Sequence, residues 1–554
     1  MSLPDGIIRE RTRQYGVTDD PFMGIAGSFQ YAENLNVFDD PRWIKLTTMW
    51  RASTDYSSCK FVSAGDYVVA IPTTWDVKKI SPESRPTGAT IWTLTEAMTP
   101  SDATVFAWFV NVIASNNDRL WVVYAYPLDK DINPLLNQKT FVPQDRTERW
   151  WSWVITMWEQ TPNYCNCITN FNNSMMLVGN WNYLRAYNPA DDTWATFIDP
   201  DYGEVHGDGW KIVKVYDVDT EIMDISPKAD YVEIFLSDSA GNTKIHYYPW
   251  IFDMEDSGLM KSVNLPNTRI QRVYPHMTKE MIVITYDGSN NNVSLREVIG
   301  YETYPVMRSH RAWLSPYDIQ HKLGFFTWPC SEDMARYEGR AYIADVEWIW
   351  EFNWYDANKM PVGTLRWKFN DEDDDKTPFW LAVAKDYIFV SYDDKAYCCR
   401  IFDTANPAWY VNEWMLISRA IETEFGWEFT KQLVRWIVQF EMNNLTDENG
   451  SIDVYVCWNR EWNSPHDSCW VKIAHIEQSD ADFSDSWETN NNLTQYNIGT
   501  CVHRFDNAGD WNFMQDRQVI EYKIVIHRWQ EQNASPVLRS LLMEYDVKEK
   551  TNYF

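Results

Sequence analysis

The feature that most constrains this chain is a small pattern that returns along most of its length. It is a short polar turn carrying an acid or Asn, a bulky residue, an alternating strand, a second turn and another strand. Copies read AGDYVVAIP at 64–72, SNNDRLWVVYAYP at 115–127, FNNSMMLVGNWNYLRAYNPADDTW at 171–194 and PKADYVEIFLSDSAGNTKIHYYPW at 227–250. Three more read TKEMIVITYDGSNNNVSLREV at 278–298, YEGRAYIADVEWIWEFNW at 337–354 and AKDYIFVSYDDKAYCCRIFDTANPAWY at 384–410. Asp230-Tyr231, Glu280-Met281 and Asp386-Tyr387 open strands at equivalent places, and a further apolar run precedes each copy, as in EIMDIS at 221–226 and RIQRVYP at 269–275. Units of several strands repeating every ~40–50 residues are the signature of propeller blades. The expectation is a mainly β protein with a six- or seven-bladed β-propeller over residues 51–412; a pair of β-sandwiches is the competing arrangement. The kelch diglycine and the WD40 signature are both absent from the copies.

Composition agrees with strands. Aromatic residues make up 16% of the 554-residue chain, including 31 Trp and 31 Tyr, and such side chains suit pleated, half-buried surfaces. A chain this long exceeds one hydrophobic core of ~250–300 residues, so further domains are expected.

The rhythm changes near residues 412–429. KQLVRWIVQFEM at 431–442, SIDVYVCWN at 451–459, CWVKIAHI at 469–476 and QVIEYKIVIHRW at 518–529 read as strands, enough for a C-terminal β-sandwich over 413–554. Residues 1–50 read as an N-terminal extension with the first strands. In the closing stretch, Ile520, Tyr522, Ile524 and Ile526 fall on one face and Glu521, Lys523 and His527 on the other, the period of a half-buried strand. Val537, Leu541, Met543 and Tyr545 follow the loop NASP, where proline cannot donate to a ladder. The two runs read as a β-hairpin.

Charge and cysteine narrow the function. The net charge is −30, which opposes tight sequence-independent nucleic-acid binding and anionic membranes. An acidic wall would instead let a duplex slide past. Nine cysteines include Cys165-x-Cys167 and Cys398-Cys399, with Cys59, Cys330, Cys457, Cys469 and Cys501 scattered. No Cys-x-x-Cys pair or Cys/His quartet predicts zinc; buried reduced thiols and assembly in a cytoplasm are expected. MSLPDGIIRERTRQYG has no apolar secretory core, and no window approaches ~18 uninterrupted apolar residues, so neither signal peptide nor membrane helix is expected.

Both ends carry a resemblance. GIAGSFQYAENLNVFDDPRWIKL at 24–46, KQLVRWIVQFE, SIDVYVCWN, QVIEYKIVIHRW and SPVLRSLLMEYDV resemble the opening and the closing sandwich of β-propeller proteins of tailed-phage virions. The resemblance implies a structural virion protein of nozzle or tail-tip type, assembled in the host cytoplasm. Its partners would be copies of itself in a ring, a hexamer, and other tail proteins, with DNA passing and no stable nucleic-acid binding or membrane insertion. The alternative it leaves is a glycan- or receptor-binding fibre or adaptor propeller.

No motif assigns catalytic, cofactor or metal residues. SDSAGNT at 237–243 resembles a sialidase Asp-box, but Ser239 stands at the Asp position and Lys244 at the Trp position; it reads as a polar hairpin turn. DEDDD at 371–375 lacks the Gly-spaced calcium loop and reads as a solvated acidic loop. ERWWSWVITMW at 148–158 offers Trp150, Trp151, Trp153 and Trp158 for core packing, then for a subunit interface, then for a sugar platform. The expectation is a protein without enzymatic activity, metal or cofactor.

Overall fold

The computed structural model describes residues 6–10, 29–36, 44–48, 50–72, 76–81, 88–93, 99–106, 109–115, 121–127, 165–171, 175–187, 196–199, 203–206, 210–228, 231–249, 261–275, 280–286, 293–299, 302–308, 329–346, 348–353, 362–369, 376–401, 411, 413–418, 429–441, 450–457, 468–477, 498–504, 521–528 and 536–549. Seven antiparallel sheets follow one another between residues 50 and 400 as blades. Blade 1 runs Lys60–Ala64, Tyr67–Ile71, Asp76–Ile80 and Gly88–Thr93. Blade 2 has Thr99–Phe106, Phe109–Ser115 and Trp121–Pro127. Blade 3 has Cys165–Phe171, Met175–Asn180, Tyr183–Tyr187 and Trp210–Val215, with the hairpin Thr196–Asp199 and Gly203–His206 inserted before its last strand. Blade 4 has Thr220–Pro227, Val232–Asp238, Thr243–Tyr248 and Lys261–Leu265. Blade 5 has Thr268–Pro275, Glu280–Tyr286, Val293–Ile299 and Glu302–Arg308. Blade 6 has Ala335–Tyr337, Arg340–Ala344, Trp348–Asn353 and Val362–Lys368. Blade 7 has Pro378–Ala384, Tyr387–Tyr392 and Ala396–Arg400, and its fourth strand is Trp50–Ser53 from the other end of the propeller.

The protein is therefore a seven-bladed β-propeller, and each of the seven sequence copies falls on one blade. The first strand of each blade is innermost. Apolar side chains between neighbouring blades fill the wedges: Val232, Ile234 and Leu236 of blade 4 join Leu177 and Leu184 of blade 3. Phe61 and Val68 of blade 1 join Trp380 and Phe389 of blade 7. Burying each such side chain contributes roughly 1.5–3 kcal/mol, so the ring is held by its interfaces. Closing blade 7 with Trp50–Ser53 pairs residues on either side of the whole ring, Ser53 opposite Ala396 and Trp50 opposite Cys399. Trp367 Nε1 donates to the Thr48 carbonyl at 3.0 Å beside this closure.

Local chemistry sets the hairpins. Glu338 and Gly339 both have positive φ, 46° and 79°, the two-residue turn whose twist matches the strands it joins. Gly65 and Lys385 occupy the same left-handed place in AGDY and AKDY, at φ 60° and 54°.

Outside the propeller, two further antiparallel sheets combine strands from both ends of the chain. In the first, Val537–Glu549 and Phe429–Glu441 lie at the centre, flanked by Ile498–Arg504 on one side and by Ile44–Leu46 and Leu35–Asn36 on the other; Gly6–Glu10 also pairs with Val537–Glu549. The second runs Phe29–Glu33, Glu413–Ser418, Glu521–Arg528, Gly450–Cys457 and Val471–Ile476. The expected closing hairpin does not form. Glu521–Arg528 pairs with Glu413–Ser418 and Gly450–Cys457, whereas Val537–Glu549 pairs with Phe429–Glu441. Both runs have strand periodicity, but each finds its partners in earlier segments, and the chain passes from one sheet to the other between them.

The second sheet is covered on both faces. Trp414, Leu416, Ile452, Val454, Ile524 and Ile526 are fully buried on one. On the other, Met415, Ile417 and Val525 pack with Tyr274, Val283, Trp350 and Phe352 of blades 5 and 6. Asn34, buried at φ 55°, ties the parts together. Its Oδ1 accepts from the Lys368 amide of blade 6 at 2.9 Å, and its Nδ2 donates to the Glu413 carbonyl at 3.4 Å.

Candidate functional site

Each blade places one residue at the axis, three or four residues before the last residue of its inner strand. Those residues are Lys60, Asp102, Cys167, Asp224, Arg272, Asp333 and Trp380 in blades 1 to 7, Asp333 standing just ahead of Ala335–Tyr337. All seven line one cavity on the propeller axis, of about 450 Å³, together with Glu332 and Arg336. In blades 2, 3, 4, 5 and 7 the pairing register slips immediately before this residue. A β-bulge adds one residue and re-aims the side chains that follow, here toward the axis.

The three aspartates share a local lock. Oδ1 of Asp102, Asp224 and Asp333 accepts from the next backbone amide, of Ala103, Ile225 and Met334, at 2.7 Å each. Oδ2 of Asp102 also accepts from the Ile168 amide of blade 3 at 2.6 Å. Beside them, Glu332 pairs with Lys60 and stands 3.9 Å from Arg272, and Lys60 Nζ lies 4.1 Å from the centre of the Trp380 ring.

These charges lie deep in the molecule yet face an open cavity, so the aspartates are only half-buried. Depth still dominates their protonation. Burial pushes Asp102 up to about 7, against the pull of the Ile168 amide and of Lys60. Burial likewise raises Asp224 well above the usual carboxylate range, with the Asp102 charge adding to it, and raises Asp333. Burial lowers Lys60 and Arg336, and neighbouring carboxylates oppose the change. The axis is thus a polar cavity that presents carboxyl groups, whose hold on their protons burial strengthens, beside guanidinium donors.

A second charged cluster lies on the propeller-facing side of the second sheet. Asp453 accepts from His475 Nδ1 at 2.5 Å, Lys472 Nζ at 2.8 Å and Tyr455 hydroxyl at 3.3 Å. His527 sits between Glu413, 3.0 Å from Nδ1, and Asp453, 3.5 Å from Nε2. Burial opposes the imidazolium of His527, but the two carboxylates outweigh it and hold it up at about 9. Burial also opposes ionised Asp453, and its hydrogen bonds from His527, Lys472 and His475 outweigh that and hold it far below the usual range. This cluster is self-neutralising and joins four strands of one sheet.

The motifs singled out in the sequence fall elsewhere. SDSAGNT makes the hairpin between the second and third strands of blade 4: Asp238 Oδ1 accepts from the Asn242 amide at 2.8 Å, and Gly241 takes φ 78°. The acidic run 371–375 and the tryptophans of 148–158 lie outside the described residues. Among the described cysteines, Cys59, Cys167, Cys330, Cys398 and Cys399 are free and buried, as expected, but Cys457 and Cys469 form a disulfide with Cα atoms 5.4 Å apart. Sequence spacing hid that pair because the ladder between Gly450–Cys457 and Val471–Ile476 brings the two together. No group of three or more His, Cys, Asp or Glu with metal-holding geometry occurs among the described residues.

No family model matches the chain, and no curated protein matches it. Among solved structures, the WD40 β-propeller domain of Doa1 is similar to it at 9% sequence identity and a TM-score of 0.37, covering 64% of this chain and 96% of that one. The propeller assignment rests on the sheet topology above.

Proposed function

We propose that this chain is a structural component of a phage tail, of nozzle or tail-tip type, acting without catalysis as one segment of a ring of identical copies around the DNA path. The observation that carries the reading is the convergence of the two chain ends. The segments that resemble tail propeller proteins, 24–46 at one end and 431–441, 451–457, 521–528 and 537–547 at the other, contribute strands to the same two sheets. The propeller is a closed ring inserted between them, fastened by Asn34 and by the contacts of Met415, Ile417 and Val525 with blades 5 and 6. Such a body keeps its shape while a duplex moves past it. The duplex would run between copies, since an axis cavity of about 450 Å³ is far too small to pass it.

The net charge of −30 suits that role. A basic wall would hold phosphates by counterion release, whereas an acidic wall gives only a repulsion that decays within ~8–10 Å at physiological salt. Like charge also sets subunits against one another, so assembly should strengthen as salt rises. Electron microscopy and native mass spectrometry of the purified protein at increasing salt test this. The expected result is a closed ring with a net acidic lumen; a monomer at every concentration and salt, or a ring with a basic lumen, overturns it.

A further inference from the structure

Within the axis cavity, three groups point inward without meeting. Arg336 makes no hydrogen bond or ion pair with any described residue. Asp224 and Asp333 each use one oxygen on a backbone amide and have no protein partner for the other. All three line the same cavity, from blades 4 and 6. Asp224 and Asp333 are half-buried and carry a desolvation cost that a partner would relieve, while Arg336 is exposed at the cavity and accessible to a ligand there.

We infer that the propeller axis is a binding site for a neutral polyhydroxylated ligand of monosaccharide size. The wall selects that chemistry. An anion such as phosphate would pair with Arg336 but face Asp102, Asp224, Asp333 and Glu332. A bare divalent cation would face Lys60, Arg272 and Arg336, and each of the three aspartates has already spent an oxygen on a backbone amide. An apolar ligand would leave Arg336 and two carboxylates unpaired in a drier site. A hydroxyl donates and accepts at once: adjacent hydroxyls can donate to Asp224 and Asp333 and accept from the Arg336 fork. The volume of about 450 Å³ lies within the range of small-molecule sites, roughly 300–1,000 Å³. This site is independent of ring assembly, so either reading can fail without the other.

The test is a titration of the full chain at pH 7 with glucose, galactose, N-acetylglucosamine and rhamnose, followed by calorimetry and ligand-observed NMR, with inorganic phosphate and calcium chloride as competitors. Saturable binding of at least one sugar is expected, weakened about tenfold or more by Arg336→Met and by Asp224→Asn and unchanged by Glu302→Gln on the outer strand of blade 5. In the unaltered protein, the bound sugar should slow amide hydrogen exchange in 100–104, 223–227 and 333–337, a readout that does not depend on how the variants fold. Presenting the same sugar as the terminal unit of an oligosaccharide assigns the site to a glycan end if affinity is kept and to a free sugar if it is lost. No saturation by any sugar, equal binding by both variants, no protection of those inner strands, or preferential binding of phosphate or calcium overturns the inference.

Discussion

Asp224 holds its charge at a cost. Its carboxyl is raised by burial first and by the Asp102 charge second, and Asp102 itself is raised to about 7. A carboxyl whose folded pKa exceeds its unfolded value, near ~3.9, binds its proton more tightly in the folded state. The associated stability is fully present below pH ~4 and is lost as pH rises through the folded pKa. Asp224→Asn keeps an oxygen for the Ile225 amide and removes the charge. It should raise the melting temperature at pH 8, by the equivalent of about 1 kcal/mol after allowance for water in the cavity, and change little at pH 4. Scanning calorimetry at the two pH values checks this; a variant destabilised equally at both would assign Asp224 a purely structural hydrogen-bonding role. The axis residues were hidden in the sequence for a physical reason. The axis position carries Lys, Asp, Cys, Asp, Arg, Asp and Trp in turn, so no single letter marks it in every blade, and only the shared cavity and the bond from each carboxyl to the next amide align SDA, MDI and EDM.

The strand Glu521–Arg528 shows how far periodicity carries. Alternation correctly placed Tyr522, Ile524 and Ile526 on one buried face. It took the polar face for a solvent face, yet Glu521 and Lys523 are buried too, with Lys523 Nζ 4.5 Å from the Tyr455 ring centre and 5.2 Å from that of Trp470. Local alternation reports polarity, and here charge pairing rather than water satisfies it. Blade strands were legible because their partners are the next strands along the chain. In the two outer sheets, strands from the two ends of the sequence pair with each other, Gly6–Glu10 with Val537–Glu549 and Phe29–Glu33 with Glu413–Ser418, which no local pattern encodes. His527 makes the sheet pH-sensitive. Its folded pKa of about 9 exceeds the unfolded ~6.5, so its contribution is complete below pH ~6.5 and disappears as pH rises through 9. His527→Gln should cost about 1–2 kcal/mol at pH 6 and nothing at pH 10, measured by urea unfolding. A constant loss across that range would mean that packing, not the Glu413–His527–Asp453 charges, is responsible.

The propeller and the two outer sheets are joined twice, through residues 47–50 and through the segment after Ile401, and the outer sheets use strands from both sides of the ring. Introducing a specific protease site between residues 402 and 410 should therefore leave the cut halves together. After cleavage, the fragments are expected to co-elute under native conditions and to separate only in denaturant. Release of a folded, free 413–554 piece would show that strands 6–10, 29–36 and 44–46 contribute little. The same pairing has a consequence in time. Gly6–Glu10 pairs with residues 541–545, so the first strand emerges from the ribosome long before its partner exists. At roughly 5–20 residues per second, the N-terminal strands wait about half a minute to two minutes for the last ones. During that interval the blades can close in order of synthesis, blade 7 on the waiting strand Trp50–Ser53, but both outer sheets keep open edges that are templates for wrong pairing. Assembly of the outer sheets is thus gated by synthesis of residues 537–549, and a protein arrested before residue 541 is a finished set of blades without its fastening.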